Sequence, residues 1–242
     1  MANILKLLVK NTVFKNDGNL VSLEKNYDAI GRLLRAHKVD SILDAGASHG
    51  RISKRFMRMF PGAHVYAFEP QPLYKDRLTA LADEESRFHP YFSALSNQTG
   101  KIALQITQSP GTTSLFPPGE RMKALYPEQT TAKETVDVDV VTIDEWASAE
   151  NISQIQFMKF DIQGGELDAL QGASGILRST LLIYIEVFFN PLYEGGAIFG
   201  EIDMCLRSNN FALYNLFKPR SDDNGMLIQA DAIYVQPSKL GL

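Results

Sequence analysis

Residues 41–50 read SILDAGASHG, and this stretch decides the fold. A short apolar run ends at Asp44, a glycine loop follows, and residues 51–60 have the pattern of a helix. A strand, a tight turn and a helix start in this order place a nucleotide-like ligand at the carboxyl edge of an α/β sheet. The G-x-x-x-G spacing matches neither the dinucleotide fingerprint nor a phosphate loop. The stretch therefore predicts a ligand without a polyphosphate and disfavours an NAD-dependent oxidoreductase.

Length and composition limit the classes of protein that this chain can represent. It has 242 residues, of which 45% are hydrophobic, and a net charge of −4. We expect an N-terminal helical extension over 1–40 and one α/β domain over 41–242. The negative charge argues against a nucleic-acid partner. A single cysteine, Cys205, excludes an intrachain disulfide and is compatible with a cytoplasmic location.

The apolar run in residues 1–9 is too short to span a membrane. We interpret it as an amphipathic helix packed on the body of the protein, without stable membrane insertion. The sequence leaves the oligomeric state open.

From residue 41 onward, short apolar segments alternate with amphipathic ones, which indicates βαβ units around a parallel sheet. The pattern predicts seven strands, at 41–44, 64–69, 87–93, 156–161, 181–187, 212–216 and 232–236. It predicts helices at 73–82, 165–177 and 198–208. Polar alternation over 101–107 and 135–141 predicts antiparallel strands that flank an exposed loop, and such loops often carry substrate contacts.

Four acids come at the ends of predicted strands: Asp44, Glu69, Asp161 and Glu186. The carboxyl ends of parallel strands share one sheet edge, so these side chains should lie near each other. An acid at the end of the second strand typically binds a ribose diol, and Pro70 favours an extended conformation at Glu69. Acids on one edge can also bind a metal or supply a general base. The alternatives are a solvated strand end for Glu69 and a structural hydrogen-bond partner for Glu186.

Taken together, these segments resemble the FkbM family of S-adenosylmethionine-dependent methyltransferases. The matching pieces are LDAGASHG at 43–50, YAFEP at 66–70, SALS at 93–96, VTID at 141–144 and KFDIQGGEL at 159–167. The resemblance covers about residues 40–236. It implies a class I methyltransferase (Rossmann-like) fold, with a seven-stranded, mostly parallel sheet and helices on both faces. It also implies S-adenosyl-L-methionine as the cofactor.

The resemblance implies a role for each matching residue. The methionine part of the cofactor would contact Asp44, Gly46, Ala47, Ser48 and Gly50. Glu69 would hold the ribose hydroxyls, Ser93, Ala94 and Leu95 would lie beside the adenine, and Asp161 would lie near the methionine end. The chain departs from the family pattern at Ser48, where Asn is common, and at Gln163, where Glu is expected. Gln163 removes a carboxylate from the cleft and weakens any metal proposal, so no metal site is expected.

The resemblance further implies O-methylation of a hydroxyl on a sugar or secondary metabolite, with a small-molecule or glycan acceptor. Methyl transfer depends on orientation, and a hydroxyl acceptor also needs a general base. The candidates for this base are Asp161 and Glu186, with His49 as a third that is better suited to shape the first loop. A non-catalytic cofactor-binding or interaction module with the same fold is the alternative, and Gln163 is the feature that leaves room for it.

Overall fold

The structure is a computed structural model, and it describes residues 24–242. The strands in this part of the chain are β1 (Ser41–Ala45), β2 (His64–Phe68), β3 (Phe88–Tyr91), β4 (Ala94–Leu95), β5 (Gly100–Thr107), β6 (Ala132–Val141), β7 (Phe157–Phe160), β8 (Leu182–Phe188), β9 (Ala212–Ser221) and β10 (Leu227–Val235). The α-helices are α1 (Asn26–Leu34), α2 (Arg51–Met59), α3 (Lys75–Glu84), α4 (Glu120–Leu125), α5 (Ile143–Ala149), α6 (Glu166–Gln171), α7 (Phe199–Ser208) and α8 (Pro237–Leu240).

Seven of the strands form one sheet in the order β3-β2-β1-β7-β8-β10-β9. The first five strands of this order run parallel, and β10 and β9 run antiparallel to their neighbours. The chain moves outward from β1 in one direction through β2 and β3, and in the other through β7 and β8. The strand order therefore reverses between β1 and β7, where open α/β sheets bind ligands at the carboxyl ends of their strands.

Helices cover both faces of this sheet. On one face, apolar side chains of α1, α2 and α3 pack against the sheet, with Ile30, Phe56 and Leu78 fully buried. On the other face, α5, α6 and α7 pack against it around Trp146 and Leu170. The α/β class, the mostly parallel seven-stranded sheet and the helices on both faces are therefore confirmed.

A second, three-stranded sheet has the order β4-β6-β5, with β5 and β6 antiparallel as the sequence predicts. A 3-10 turn, Pro110–Thr112, follows β5 and begins the loop that leads to α4. Because β4 follows β3 directly, this small sheet stands beside the carboxyl edge of the large one. It thus positions the 109–115 loop next to the ligand-binding edge.

Several predicted boundaries change in the structure. The single helix predicted at 165–177 is wrong: α6 ends at Gln171, and a separate 3-10 turn spans Ile176–Arg178. The Asp144 carboxylate accepts hydrogen bonds from the N–H groups of Gly175 and Ile176, at 2.7 and 2.9 Å, and starts that second turn. Strands β9 and β10 extend well beyond the predicted segments because they pair with each other past the apolar core.

The predicted extension over 1–40 is described only in part. Its helix α1 agrees with the apolar spacing of Ile30, Leu33 and Leu34, which are buried in the core. The predicted helix at 1–9 lies outside the described residues. Within residues 24–242, no helix is long and apolar enough to cross a membrane.

The close approach of the first loop to the loop after β7 gives a test of the fold. A Cβ added at Gly46 would lie 1.9 Å from the backbone oxygen of Asp161, and Gly46 has a φ of +78°. Gly225 has a similar φ of +81°, but nothing lies within 4 Å of a Cβ added there. Gly46→Ala therefore adds a steric clash to the strain of a left-handed backbone.

We expect Gly46→Ala to lower the free energy of unfolding by about 3 kcal/mol or more, because overpacking adds to backbone strain. The control Gly225→Ala should lower it by only about 1–2 kcal/mol. Urea denaturation of both variants measures the difference. Equal losses of stability in the two variants would show that the first loop does not approach the backbone of Asp161 as described.

Candidate active site

A cavity of about 580 Å³ opens at the carboxyl edge of the sheet, where the strand order reverses. This volume lies within the range of about 300–1,000 Å³ that is usual for small-molecule sites. Of the predicted site residues, the cavity is lined by Gly46, Ser48, Glu69, Ser93, Ala94, Leu95, Asp161 and Glu186. Asp44, Ala47, Gly50 and His49 are not among its lining residues.

Asp44 and Lys159 form a buried ion pair below the first loop. They are register partners on β1 and β7, with Lys159 Nζ 3.3 Å from Asp44 Oδ1. The ammonium group also donates to the backbone oxygens of Ala45 and Gly46, at 3.0 and 2.9 Å. Burial opposes the charge on Lys159, but Asp44 and Asp161 outweigh burial and raise its pKa above the ordinary value. Lys159 therefore stays charged and holds the loop that carries Gly46.

The remaining oxygen of Asp44, Oδ2, accepts a hydrogen bond from Ser53 Oγ at 2.5 Å. The Asp44 side chain is fully buried, and its contacts are with the protein itself. Its assignment as a cofactor contact, like those of Ala47 and Gly50, stays a prediction.

Glu69 follows β2 and points its carboxylate into the cavity. Oε2 accepts the Ser48 N–H at 2.8 Å, and Oε1 accepts the Gln71 N–H at 3.0 Å. Burial raises the pKa of Glu69, while the two backbone donors act in the opposite direction. A carboxylate has about four lone-pair positions, so each oxygen retains one for a ligand. The two oxygens are thus suited to accept a pair of neighbouring hydroxyl groups.

Glu166 organises the loop between β7 and α6 from inside the protein. It is fully buried, Oε1 accepts the Ile162 N–H at 2.9 Å, and Oε2 accepts the Gly164 N–H at 2.9 Å. Burial raises its pKa to about 7. The position of Glu166 in the first turn of α6 also suits the helix dipole, but its two loop contacts are the more specific role.

Gln163 joins the two predicted catalytic acids. Its Nε2 donates to Asp161 Oδ1 at 2.9 Å and to Glu186 Oε2 at 2.8 Å. Its Oε1 accepts the Tyr193 hydroxyl at 2.6 Å, which determines the orientation of the amide. The other Glu186 oxygen, Oε1, accepts Gln229 Nε2 at 2.7 Å. Asp161 and Glu186 therefore lie in one hydrogen-bonded group on the cavity wall.

The environment of Glu186 favours its protonated form. Burial, together with the nearby carboxylates of Asp161 and Glu166, raises the pKa of Glu186 well above its usual range. A carboxylate with a raised pKa is a stronger base than an ordinary one once it is ionised. Within residues 24–242, no group of three or more His, Cys, Asp or Glu side chains is arranged to hold a metal ion.

Two further segments complete the cavity. On one side, the 109–115 loop is tied to the site, because Thr113 Oγ1 accepts Gln71 Nε2 at 3.1 Å and Ser114 Oγ donates to the Gln163 backbone oxygen at 2.6 Å. On the other side, β9 and β10 contribute polar and charged lining residues, which include Arg220 and Gln229.

Sequence reasoning missed several residues of this site. Lys159 had a readable signal, since it is a charged residue inside an otherwise apolar strand, FMKF. Gln163 was noted as a departure from the family pattern, without its contacts. Gln229 and Arg220 had no local signal, because the pairing of β9 with β10 brings them to the cavity.

The first loop, the acid after β2 and the loop after β7 meet at the cavity, and all three lie in a segment whose sequence matches a known family. Residues 44–213 match the Methyltransferase FkbM domain family. The chain belongs to this family. The match includes Asp44, Glu69, Asp161 and Glu186, and it ends just after the start of β9.

Curated proteins of similar sequence carry methyltransferase names. The chain is 26% identical over 161 residues to the 2-O-methyltransferase NoeI of Sinorhizobium fredii. The aligned segment covers 64% of this chain and 65% of NoeI. It is 30% identical over 155 residues to the methyltransferase sdnD of Sordaria araneosa, covering 54% and 59% of the two chains. It is 25% identical over 167 residues to the hexuronic acid methyltransferase AglP of Haloferax volcanii, covering 68% and 63%. The matched segments thus span less than two thirds of each of these proteins.

Among solved structures, the magnesium protoporphyrin IX methyltransferase of Synechocystis PCC 6803 aligns with a TM-score of 0.47 and 11% identity, over 97% of this chain and 96% of that one. Membership of the FkbM family rests on the sequence match.

The raised pKa of Glu166 predicts how stability depends on pH. A carboxyl group whose pKa is higher in the folded than in the unfolded protein stabilises the fold while it is protonated in both states. For Glu166 this stabilisation is present below about pH 4.5 and is lost as the pH rises to about 7.

Glu166→Gln removes this titration. The quantity to compare is the unfolding free energy of the wild type minus that of Glu166→Gln. We expect this difference to fall by about 3 kcal/mol at most as the pH rises from about 4.5 to about 7. Urea denaturation across this range measures it, and Glu84→Gln, at an exposed position on α3, should keep the wild-type profile. Parallel profiles for the wild type and Glu166→Gln would contradict the prediction.

Proposed function

We propose that the chain is an S-adenosylmethionine-dependent O-methyltransferase that acts on a hydroxyl group of a sugar or secondary metabolite. The observation that carries this proposal is the cavity itself, which is lined both by Glu69, whose oxygens each retain a lone pair, and by Glu186, whose pKa is raised. Membership of the FkbM family and the names of NoeI and AglP support it.

The residues around Glu69 fit the nucleoside part of the cofactor. Each oxygen of Glu69 has one backbone N–H and one spare lone pair, which suits the two hydroxyls of a ribose. Leu95 and Phe68 offer apolar surface at the same cavity, as an adenine ring requires. We therefore assign Glu69 to the ribose and Ser93, Ala94 and Leu95 to the adenine.

The methionine end of the cofactor fits the acidic side of the cavity. When bound, S-adenosylmethionine supplies an electrophilic methyl group on a positively charged sulfur. Glu69 and Asp161 both line the cavity, and negative charge on this side favours a cationic ligand. We assign Gly46 and Ser48 to backbone contacts with the methionine part and Asp161 to its polar groups.

The proposed mechanism assigns the general base to Glu186. In the ionised state, its carboxylate accepts hydrogen bonds from Gln163 and Gln229, which hold it in one orientation on the cavity wall. A spare lone pair on either Glu186 oxygen would take the proton of the acceptor hydroxyl. The bound cofactor would supply the methyl group to the acceptor oxygen and leave as S-adenosylhomocysteine. Correct orientation of the two reactants provides much of the acceleration in such a reaction.

A non-catalytic module with the same fold remains the second candidate. Gln163 is the residue in favour of this candidate, because it stands where the family pattern has a carboxylate. Its amide, however, contacts both Asp161 and Glu186, and this arrangement supports a catalytic role for the two acids. An active protein would transfer methyl groups to some acceptor, whereas a binding module would only hold the cofactor.

We propose that residues 41–242 form the methyltransferase domain, preceded by a helical extension whose described helix, α1, completes one face of the core. We also propose a cytoplasmic location, for which the single cysteine is the support.

The role of Glu69 predicts a loss of cofactor affinity. We expect Glu69→Ala to weaken binding of S-adenosylmethionine about 100-fold, because two hydrogen bonds to a charged group are lost. Isothermal titration calorimetry measures the dissociation constant. Glu69→Gln, which keeps the size of the side chain, is the second variant, and denaturation of both checks that they fold. No binding by the wild type at high micromolar cofactor would refute the proposed function.

The role of Glu186 predicts a loss of turnover without a loss of cofactor affinity. Removing a general base lowers the rate about 10²- to 10⁴-fold, so we expect Glu186→Gln to lower kcat by at least about 100-fold. Asp161→Asn should also lower turnover more than cofactor affinity. The wild-type rate should rise with pH through the raised pKa of Glu186, and this rise should be absent in Glu186→Gln.

A methyl-transfer assay over a panel of glycans and metabolites measures these rates, with Glu84→Gln as the matched control outside the cavity. Unchanged turnover in Glu186→Gln would remove Glu186 from the proposed mechanism, and unchanged turnover in Asp161→Asn would do the same for Asp161. Binding of the cofactor without transfer to any acceptor would favour the non-catalytic module.

A further inference from the structure

The positive charges of the cavity lie together on β9. Of the described residues that line the cavity, two are cations, Lys218 and Arg220. The proposed cofactor contacts Glu69 and Asp161 are acidic, so these two cations have no role in the assignments made so far.

A β-bulge brings both cations to the cavity. Gln229 pairs with Arg220 and Asp231 pairs with Phe217, so two residues of β9, Lys218 and Pro219, stand opposite one residue of β10. Lys218 has a φ of +47°, which is unusual for a residue with a side chain. Bulges redirect side chains and are frequent next to active sites.

Only one of the two cations has a counter-charge. Lys218 Nζ lies 2.7 Å from Asp231 Oδ2, which also accepts the Tyr184 hydroxyl at 2.5 Å. Arg220, in contrast, makes no side-chain hydrogen bond or ion pair with any residue in 24–242, and its side chain is exposed. Arg220 is therefore a cation at this end of the cavity that no described side chain pairs with.

Arg220 also stands next to the proposed base. It is the register partner of Gln229, and Gln229 Nε2 donates to Glu186 Oε1 at 2.7 Å. Residues paired directly across two strands have Cβ atoms about 5 Å apart. A ligand group held by Arg220 would thus bind at the part of the cavity wall that carries Gln229 and Glu186. The planar guanidinium matches the two oxygens of a carboxylate or a phosphate.

We propose that Arg220, assisted by Lys218, binds an anionic group of the methyl acceptor. The acceptor is then a hydroxyl compound that carries a carboxylate or a phosphate near the hydroxyl that is methylated. This inference rests on the proposed function, because it identifies the ligand of the β9 end as the acceptor. The anionic group would orient the hydroxyl toward Glu186.

The test compares sugars that differ at one position. Isothermal titration calorimetry measures the binding of methyl glucoside, methyl glucuronide and methyl glucoside 6-phosphate, each with and without S-adenosylhomocysteine. The proteins are the wild type, Arg220→Gln and Arg58→Gln. Arg58 is an exposed arginine on α2 that does not line the cavity, so Arg58→Gln is the matched control.

We expect the wild type to bind at least one of the two anionic sugars about tenfold more tightly than the neutral one, as a charge-assisted hydrogen bond provides. Arg220→Gln should remove this preference and leave binding of S-adenosylhomocysteine unchanged, and Arg58→Gln should keep it. The anionic sugar that binds more tightly shows whether the site prefers a carboxylate or a phosphate.

Equal binding of all three sugars, binding of none, or a preference that survives in Arg220→Gln would overturn the inference. Failure of the proposed function gives a different result, because S-adenosylhomocysteine itself would then not bind. An anionic preference without S-adenosylhomocysteine binding would overturn the assignment of that ligand as a methyl acceptor.

Discussion

The ammonium group of Lys159 is buried between β1 and β7, and the rest of the site depends on it. It meets the Asp44 carboxylate, two backbone carbonyls of the first loop and, at 3.7 Å, the carboxylate of Asp161. A buried ion pair stabilises a protein only when its groups are well paired, and removing one partner leaves a charge without compensation. Lys159 thus links the first loop to the loop after β7 where the sheet reverses its order.

The same charge explains how so many acids share one edge. Asp44, Asp161, Glu69, Glu166 and Glu186 lie near one another. Burial, together with repulsion from neighbouring carboxylates, raises the pKa values of the last three. Each of these three accepts hydrogen bonds from N–H groups, either of the backbone or of Gln163 and Gln229.

Most of the fold was predictable because apolar patterns recur locally. All seven predicted strands belong to the large sheet, and the family resemblance is confirmed. The prediction of one helix over 165–177 was wrong because a long-range contact determines where the helix ends. Asp144 accepts hydrogen bonds from the N–H groups of Gly175 and Ile176, which begins a new turn. The predicted ends of β9 and β10 were wrong for a related reason. Pairing between the two strands, and not their composition, extends them over polar residues such as Arg220.

The sequence by itself determined the fold class, the family and the positions of the acids at strand ends, because strand and turn signals are local and parallel strands share an edge. Only the tertiary structure decided what each acid contacts. It turned Asp44 toward Lys159 and Ser53, left Glu69 with free lone pairs at the cavity, and joined Asp161 to Glu186 through Gln163. The contacts of Asp44 with Lys159, of Glu69 with the first loop and of Gln163 with Glu186 join different segments of the chain, so their geometry arises only when the strands pair and the loops pack.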